Sequence, residues 1–225
     1  MDRLKQLKNQ YCQDLHQKDK QLFFLVALPR SGNTLFASII NQNPNVVCTA
    51  NSVTLEIIKN LHLLKQTDVF KNYPDYKSLD NVLDLVYDNY YKNWPQQYII
   101  DRGPVMTTGN FELIQKHYKR PFKCIVLVRD LMEVLASYIK WFENEPTAFP
   151  NRYANTIEDK LSLIMNSKGA VAKHLNAIKN AYNYPDICHF IKYNNLVINP
   201  KQCIQEVYKF LNIPYFEHKF TNLQQ

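Results

Sequence analysis

Glycine is scarce in this chain: four in 225 residues, at Gly32, Gly103, Gly109 and Gly169. Glycine enters left-handed or crowded backbone at little steric cost, so each rare glycine marks a place where the backbone has a special task. Long apolar runs are missing too. None approaches the roughly 18 residues of a membrane helix, and residues 1–20 are too polar for a secretory leader. No membrane segment is expected, and the expected address is cytoplasmic. The five cysteines, Cys12, Cys48, Cys124, Cys188 and Cys203, are odd in number and include no CxxC pair, which argues against a disulfide framework and against zinc. No acidic cluster offers a ligand set, so no metal is expected. Zinc-finger spacing and RNP-like aromatics are likewise absent, and nucleic acid is not an expected partner.

What is present suits one soluble, globular domain spanning 1–225. The chain is 46% hydrophobic, enough for one substantial core. Its formal charge of +7 fits an anionic ligand without choosing one. The basic residues are scattered except for Lys116, Lys119, Arg120 and Lys123, which flank a predicted strand and read equally as a solvated edge. Residues 1–20 carry Leu4, Leu7, Tyr11 and Leu15 at helical spacing among charges, the pattern of an N-terminal surface helix. Leu22 to Leu28 and Phe122 to Val128 are short continuous apolar runs, as expected of strands buried on both faces of a parallel sheet. Further strands are expected at Val46 to Thr49, Tyr98 to Asp101 and Ile187 to Lys192. Helices are expected near 34–42, 53–64, 79–91, 111–118, 131–142, 157–182 and 202–211, and Glu143 to Ala154 reads as a mobile loop. Alternating strands and helices indicate an α/β three-layer sandwich with a central parallel sheet covered by helices.

Ala27 to Thr34 keeps the spacing, the second glycine and the threonine of GxxxxGK[ST], but lacks its first glycine and its lysine. A loop between a buried strand and a helix aims backbone N–H groups and the positive helix end at one spot, so anion binding survives the losses. Without the lysine a nucleoside triphosphate fits less well, while Arg30 adds a fixed cation. A second constellation is Arg129 at a strand end with Ser137 eight residues on, just over two helical turns. The two could hold one phosphate. Alternatively, Arg129 pairs with Asp130 or Glu133 and Ser137 is a neutral helix residue.

PRSGNT after FFLVAL, VRDLMEVLASY after FKCIVL, and IKYNNLVINPKQCIQEVYKFLNIP together resemble the sulfotransferases that use 3′-phosphoadenosine 5′-phosphosulfate (PAPS), in order, over residues 22–214. The style is that of the branch with arginine in the first loop, which includes the tyrosylprotein sulfotransferases. The resemblance implies a P-loop, nucleotide-kinase-like sheet and a reaction that moves a sulfuryl group from PAPS to a hydroxyl or amine, releasing PAP. It implies that Arg30, Ser31, Gly32, Asn33 and Thr34 hold the 5′-phosphosulfate and that Arg129 and Ser137 hold the 3′-phosphate. Tyr193 matches a tyrosine at the end of a late strand beside the nucleotide, and reads equally as a buried aromatic.

Sulfuryl transfer needs an in-line acceptor, charge stabilisation on the leaving oxygen and a base. Arg30 is the expected charge stabiliser. Arg102, in Asp101-Arg102-Gly103-Pro104, resembles a basic residue that approaches the reacting centre, although the segment also reads as a polar strand end. The base is the weak point, because Asn51 stands where the tyrosylprotein branch has a glutamate. Asp101 is the preferred replacement, with Glu56, His117, His174 and His189 behind it. The alternatives are a divergent P-loop kinase using ATP and magnesium, held by Asp101 or Asp130, and a catalytically weakened PAP-binding module. The acceptor (carbohydrate, tyrosyl peptide, lipid, small alcohol or phenol) stays open, as does a homodimer.

Overall fold

A computed structural model describes residues 20–221; the expected helix at 1–20 lies outside the described residues. Five strands, β1 (Gln21–Ala27), β2 (Val46–Cys48), β3 (Tyr98–Arg102), β4 (Cys124–Val128) and β5 (Cys188–Lys192), form one sheet in the order β2-β3-β1-β4-β5, every pair parallel. β1 is central and its side chains alternate between two cores. Leu22, Phe24 and Val26 face one apolar layer, Phe23, Leu25 and Ala27 the other. Burial on both faces is why this segment reads as an unbroken apolar run.

One face is covered by α1 (Asn33–Ile40), through Phe36, Ile39 and Ile40, and by the last helix. The other carries α2 (Val53–Leu64), the short α3 (Asp68–Asn72), α4 (Tyr76–Leu83), α5 (Val86–Tyr90), α6 (Thr108–His117) and α7 (Leu131–Asn144). It is completed by α8 (Ile157–Met165) and α9 (Ala170–Ala181), before α10 (Tyr193–Ile198) and α11 (Pro200–Leu211) close the chain. The three-layer α/β sandwich is therefore as expected.

Three local expectations change. The helix expected over 79–91 is two helices. Leu79, Leu83, Tyr87 and Tyr91 are all buried, yet a spacing of four drifts about 40° per step around a helix of 3.6 residues per turn. The break at Asp84 and Leu85 resets the register so that all four face inward. The helix expected over 157–182 is also divided. Asn166 caps its own turn by accepting from Lys168 N at 2.9 Å, and a Cβ on Gly169 would lie 2.3 Å from the Ile164 carbonyl oxygen. Residues 143–154 are not a loose loop: α7 runs to Asn144, a 3₁₀ turn spans Phe149–Arg152, and Asn151 donates to the carbonyls of Phe142 and Glu145 at 2.7 and 2.8 Å. Tyr193 follows the end of β5 directly, as expected, and opens α10.

Candidate active site

The carboxyl end of β1 runs into a loop under unusual backbone constraint. Arg30 has φ 68° and Gly32 φ 90°. Left-handed backbone costs a non-glycine residue roughly 1–2 kcal/mol, and such strain collects at functional sites. At Gly32 a side chain is also sterically forbidden, since a Cβ would lie 2.6 Å from Tyr193 Cδ2. The loop is closed by two donors to the Leu28 carbonyl, Ser31 N at 3.2 Å and Asn33 Nδ2 at 3.1 Å. Gly32 is the N-cap of α1 and gives it no side-chain cap, and the first turn holds no acidic residue. Its leading N–H groups and positive dipole end are therefore free to meet an anion. Ser31 Oγ and Asn33 Oδ1 are buried without a hydrogen-bond partner; the hydroxyl can donate to an anion, whereas the amide oxygen only accepts.

β4 delivers the second motif against the first. Arg129 donates from Nη1 to the Arg30 carbonyl oxygen at 2.8 Å, and its guanidinium lies 4.1 Å from the centre of the Tyr193 ring. Arg30 Nε donates to Ser137 Oγ at 3.1 Å. The two motifs, far apart in sequence, thus form one hydrogen-bonded unit. Arg129 also pairs through Nε with Glu133 at 2.9 Å, one of the two partners expected from the sequence. Arg30, Gly32, Asn33, Thr34, Arg102, Arg129, Ser137 and Tyr193 all border a single cavity of about 400 Å³. Ser31, which is fully buried, and Asp101 stay outside its lining, as do the other base candidates.

A second cavity of about 340 Å³ adjoins the first through Pro29, Asn33 and Arg102, and is bordered by Asn51, Glu56, Lys173 and His174. Arg102 therefore stands at the junction of the two. Burial lowers its pKa from the usual guanidinium value. A third, apolar cavity of about 380 Å³ lies beyond Arg30, walled by Tyr138, Trp141, Phe149 and Pro150.

Asp101 is not placed to take a proton from an acceptor. It is wholly buried and accepts from Thr49 Oγ1 at 3.2 Å, Ser52 Oγ at 2.7 Å and Thr54 Oγ1 at 2.5 Å. Burial pushes its carboxyl pKa up, and hydrogen bonds from Thr54, Ser52, Thr49 and Tyr91 pull it back. What Asp101 does is local. Thr49 Oγ1, which donates to Asp101, accepts from Arg102 N at 3.0 Å, and Ser52 Oγ accepts from Leu55 N at 3.0 Å at the start of α2. The carboxylate ties Arg102 to the segment carrying Asn51. The other carboxylate a magnesium-dependent kinase would need, Asp130, is engaged in capping α7, accepting from Met132 N at 2.8 Å and Glu133 N at 3.2 Å.

Among the remaining base candidates, Glu56 and His174 border the second cavity. His117 lies buried against Asp84 at 2.9 Å, and His189 stacks on Phe210 at the opposite edge of the sheet. Sequence reasoning missed the hydroxyl trio Thr49, Ser52 and Thr54, whose signal was the run TANSVT after β2. It also missed Lys173, for which no local pattern points to a cleft.

A sulfotransferase domain model matches residues 20–225. A candidate protein-tyrosine sulfotransferase of Caenorhabditis briggsae is 25% identical over 87% of this chain and 67% of its own length. Nodulation protein H of Rhizobium tropici is 24% identical over 89% of this chain and 78% of its own. Among solved structures, mouse sulfotransferase SULT7A1 complexed with PAP superposes with a TM-score of 0.54 at 16% identity, over 88% of this chain and 60% of that one, a likeness of fold. With the model covering nearly the whole chain, this protein is a member of the sulfotransferase family, enzymes that transfer a sulfuryl group.

Proposed function

We propose that the sulfuryl donor is PAPS and that it lies across the first cavity, with the sulfuryl group at the junction beside Arg102 and Asn33. The observation that supports this reading is the union of the two motifs: Arg30 bonded to Ser137, and Arg129 bonded to the Arg30 backbone and stacked on Tyr193. One end of the cavity offers the uncapped start of α1, with its free backbone N–H groups at Gly32, Asn33 and Thr34, matched to a 5′-phosphosulfate. The other offers Arg129 and Ser137, matched to a 3′-phosphate. Arg30 spans the two, so the charge developing on the leaving oxygen is met by Arg30 and Arg102 together rather than by Arg30 alone. A preorganised donor of this kind contributes about 3–4 kcal/mol to transfer.

The acceptor then enters from the second cavity, with the apolar wall of Tyr138, Trp141 and Phe149 nearby for its ring or chain. The test is thermal melting with PAP. A ligand bound only by the native state at 100 times its Kd stabilises by about 2.7 kcal/mol, so saturating PAP raises Tm and ATP raises it less. An unmoved Tm overturns the proposal. Tight PAP binding with no transfer to any hydroxyl would make the chain a PAP-binding module.

A further inference from the structure

We infer that His174, from α9, is the general base that takes the acceptor proton, replacing the carboxylate that Asn51 lacks; this rests on the PAPS reading above. His174 borders the second cavity together with Arg102, Asn51 and Glu56, on the acceptor side of the junction. Its Nδ1 lies 2.7 Å from the Ala170 carbonyl oxygen. A carbonyl only accepts, so Nδ1 carries the proton and the lone pair of the neutral ring is on Nε2. Nε2 has no protein partner among the described residues. The helix thus fixes both the tautomer and the ring orientation, which a base needs before it can act.

The surroundings keep the ring in its basic form. Desolvation first, then the charges of Lys173 on α9 and Arg102 at the end of β3, lower its pKa below the ordinary histidine value of 6.5, while the bond to Ala170 works the other way. Glu56 of α2 is the one carboxylate bordering the same cavity, and it is paired with Lys59 at 2.9 Å on its own helix. His174 is therefore neutral at pH 7. In the transfer step the acceptor oxygen forms a bond to sulfur as the bond between sulfur and the bridging phosphate oxygen breaks. PAP leaves with that electron pair, the acceptor proton passes to Nε2, and the imidazolium then returns it to solvent.

The experiment compares wild type, His174→Ala, His174→Gln and Glu56→Gln, with labelled PAPS as donor and phenol, 4-nitrophenol and water as probes, read as PAP formed. PAP affinity is measured alongside. Loss of a positioned base lowers the rate about 100-fold or more, so both His174 variants lose at least that much with phenol while binding PAP within about 2-fold of wild type. The loss is smaller with 4-nitrophenol, which is far more acidic than phenol and already partly ionised near pH 7. The rate falls with acidity below pH 6.5 in wild type and Glu56→Gln, and this limb disappears in the His174 variants. Gln retains an amide able to bond Ala170, so it stands in where Ala fails to fold. A change under about 3-fold, or an acid limb unaltered by the substitution, overturns the assignment. Wild type that binds PAP yet transfers to none of the three probes overturns it too, leaving the PAPS site intact; wild type that does not bind PAP overturns the donor reading instead.

Discussion

Two clusters of cations in this molecule are built in opposite ways. On the far side, Asp80, Asp84 and Asp88 follow one another at a spacing of four across α4 and α5, and basic groups meet each of them. Lys65 and Lys116 meet Asp80 at 2.5 and 2.9 Å, Lys119 meets Asp84 at 2.5 Å and Arg120 meets Asp88 at 2.8 Å. In the cleft, Arg129 pairs with Glu133 at 2.9 Å, but Arg30 and Arg102 form no ion pair among the described residues; Arg30 meets a hydroxyl and Arg102 a cavity wall. Like residues serve different ends. The ladder neutralises its charge within the fold and ties α6 to α4 and α5, whereas the cleft keeps a positive potential directed at an incoming anion. Of the solvated cluster at 116–123, Lys116, Lys119 and Arg120 join Lys65 as the cations of this ladder, and Lys123 instead donates to the Phe210 carbonyl.

Removing a cleft cation should cost function and little stability, with the largest effect at the junction. Arg102→Ala should lower the transfer rate about 100- to 1000-fold, the scale of one lost transition-state donor, with PAP affinity changed far less. Arg129→Ala should do the reverse. Because Arg129 also holds the Arg30 carbonyl, its loss frees the strained loop and some rate should fall with the affinity. Single-turnover rates and PAP titrations of both variants separate the two effects. Equal losses of rate and affinity in both would break the division of labour between junction and distant phosphate.

Asp101 sharpens the comparison from another side, since it is a carboxylate near the cleft that serves structure. Its three hydroxyl donors would be orphaned in Asp101→Ala, with a cost of about 3 kcal/mol in urea unfolding. Asp101→Asn keeps the shape and part of the hydrogen bonding and should cost clearly less. A fully active Asp101→Asn would confirm that no proton moves there. The sheet, its order of layers and the two motifs were legible because each is carried by contiguous residues: an apolar run, a proline, a glycine, an arginine after a strand. The role of Asp101 was not legible. Its position at a strand's carboxyl end suggests the crevice, but strand alternation and the hydroxyls of TANSVT turn it inward, and that depends on pairing β2 with β3. His174 was visible only as one histidine among several, because α9 reaches the cleft through a turn set by Gly169.

The ladder should show the smallest effects and the clearest pH dependence. Hydrogen bonds from Lys65 first, and then Lys116, bring the Asp80 carboxyl down to about 2, and Lys119 and then His117 lower that of Asp84. A carboxylate whose folded pKa lies below its unfolded value of about 3.9 contributes stability that is present above that value. The contribution is lost as pH falls through the folded pKa. Stability should therefore decline between about pH 4 and 2, by no more than about 1 kcal/mol per pair because these groups are partly solvated. Lys119→Ala, at the most exposed cation of the ladder, should cost about 0.3 kcal/mol at pH 7 and nothing measurable at pH 2. Urea midpoints of wild type and variant at the two pH values decide it. A difference that persists at pH 2 would mean that Lys119 acts through the packing of its stem, and the ladder would then be less purely electrostatic than the contrast with the cleft requires.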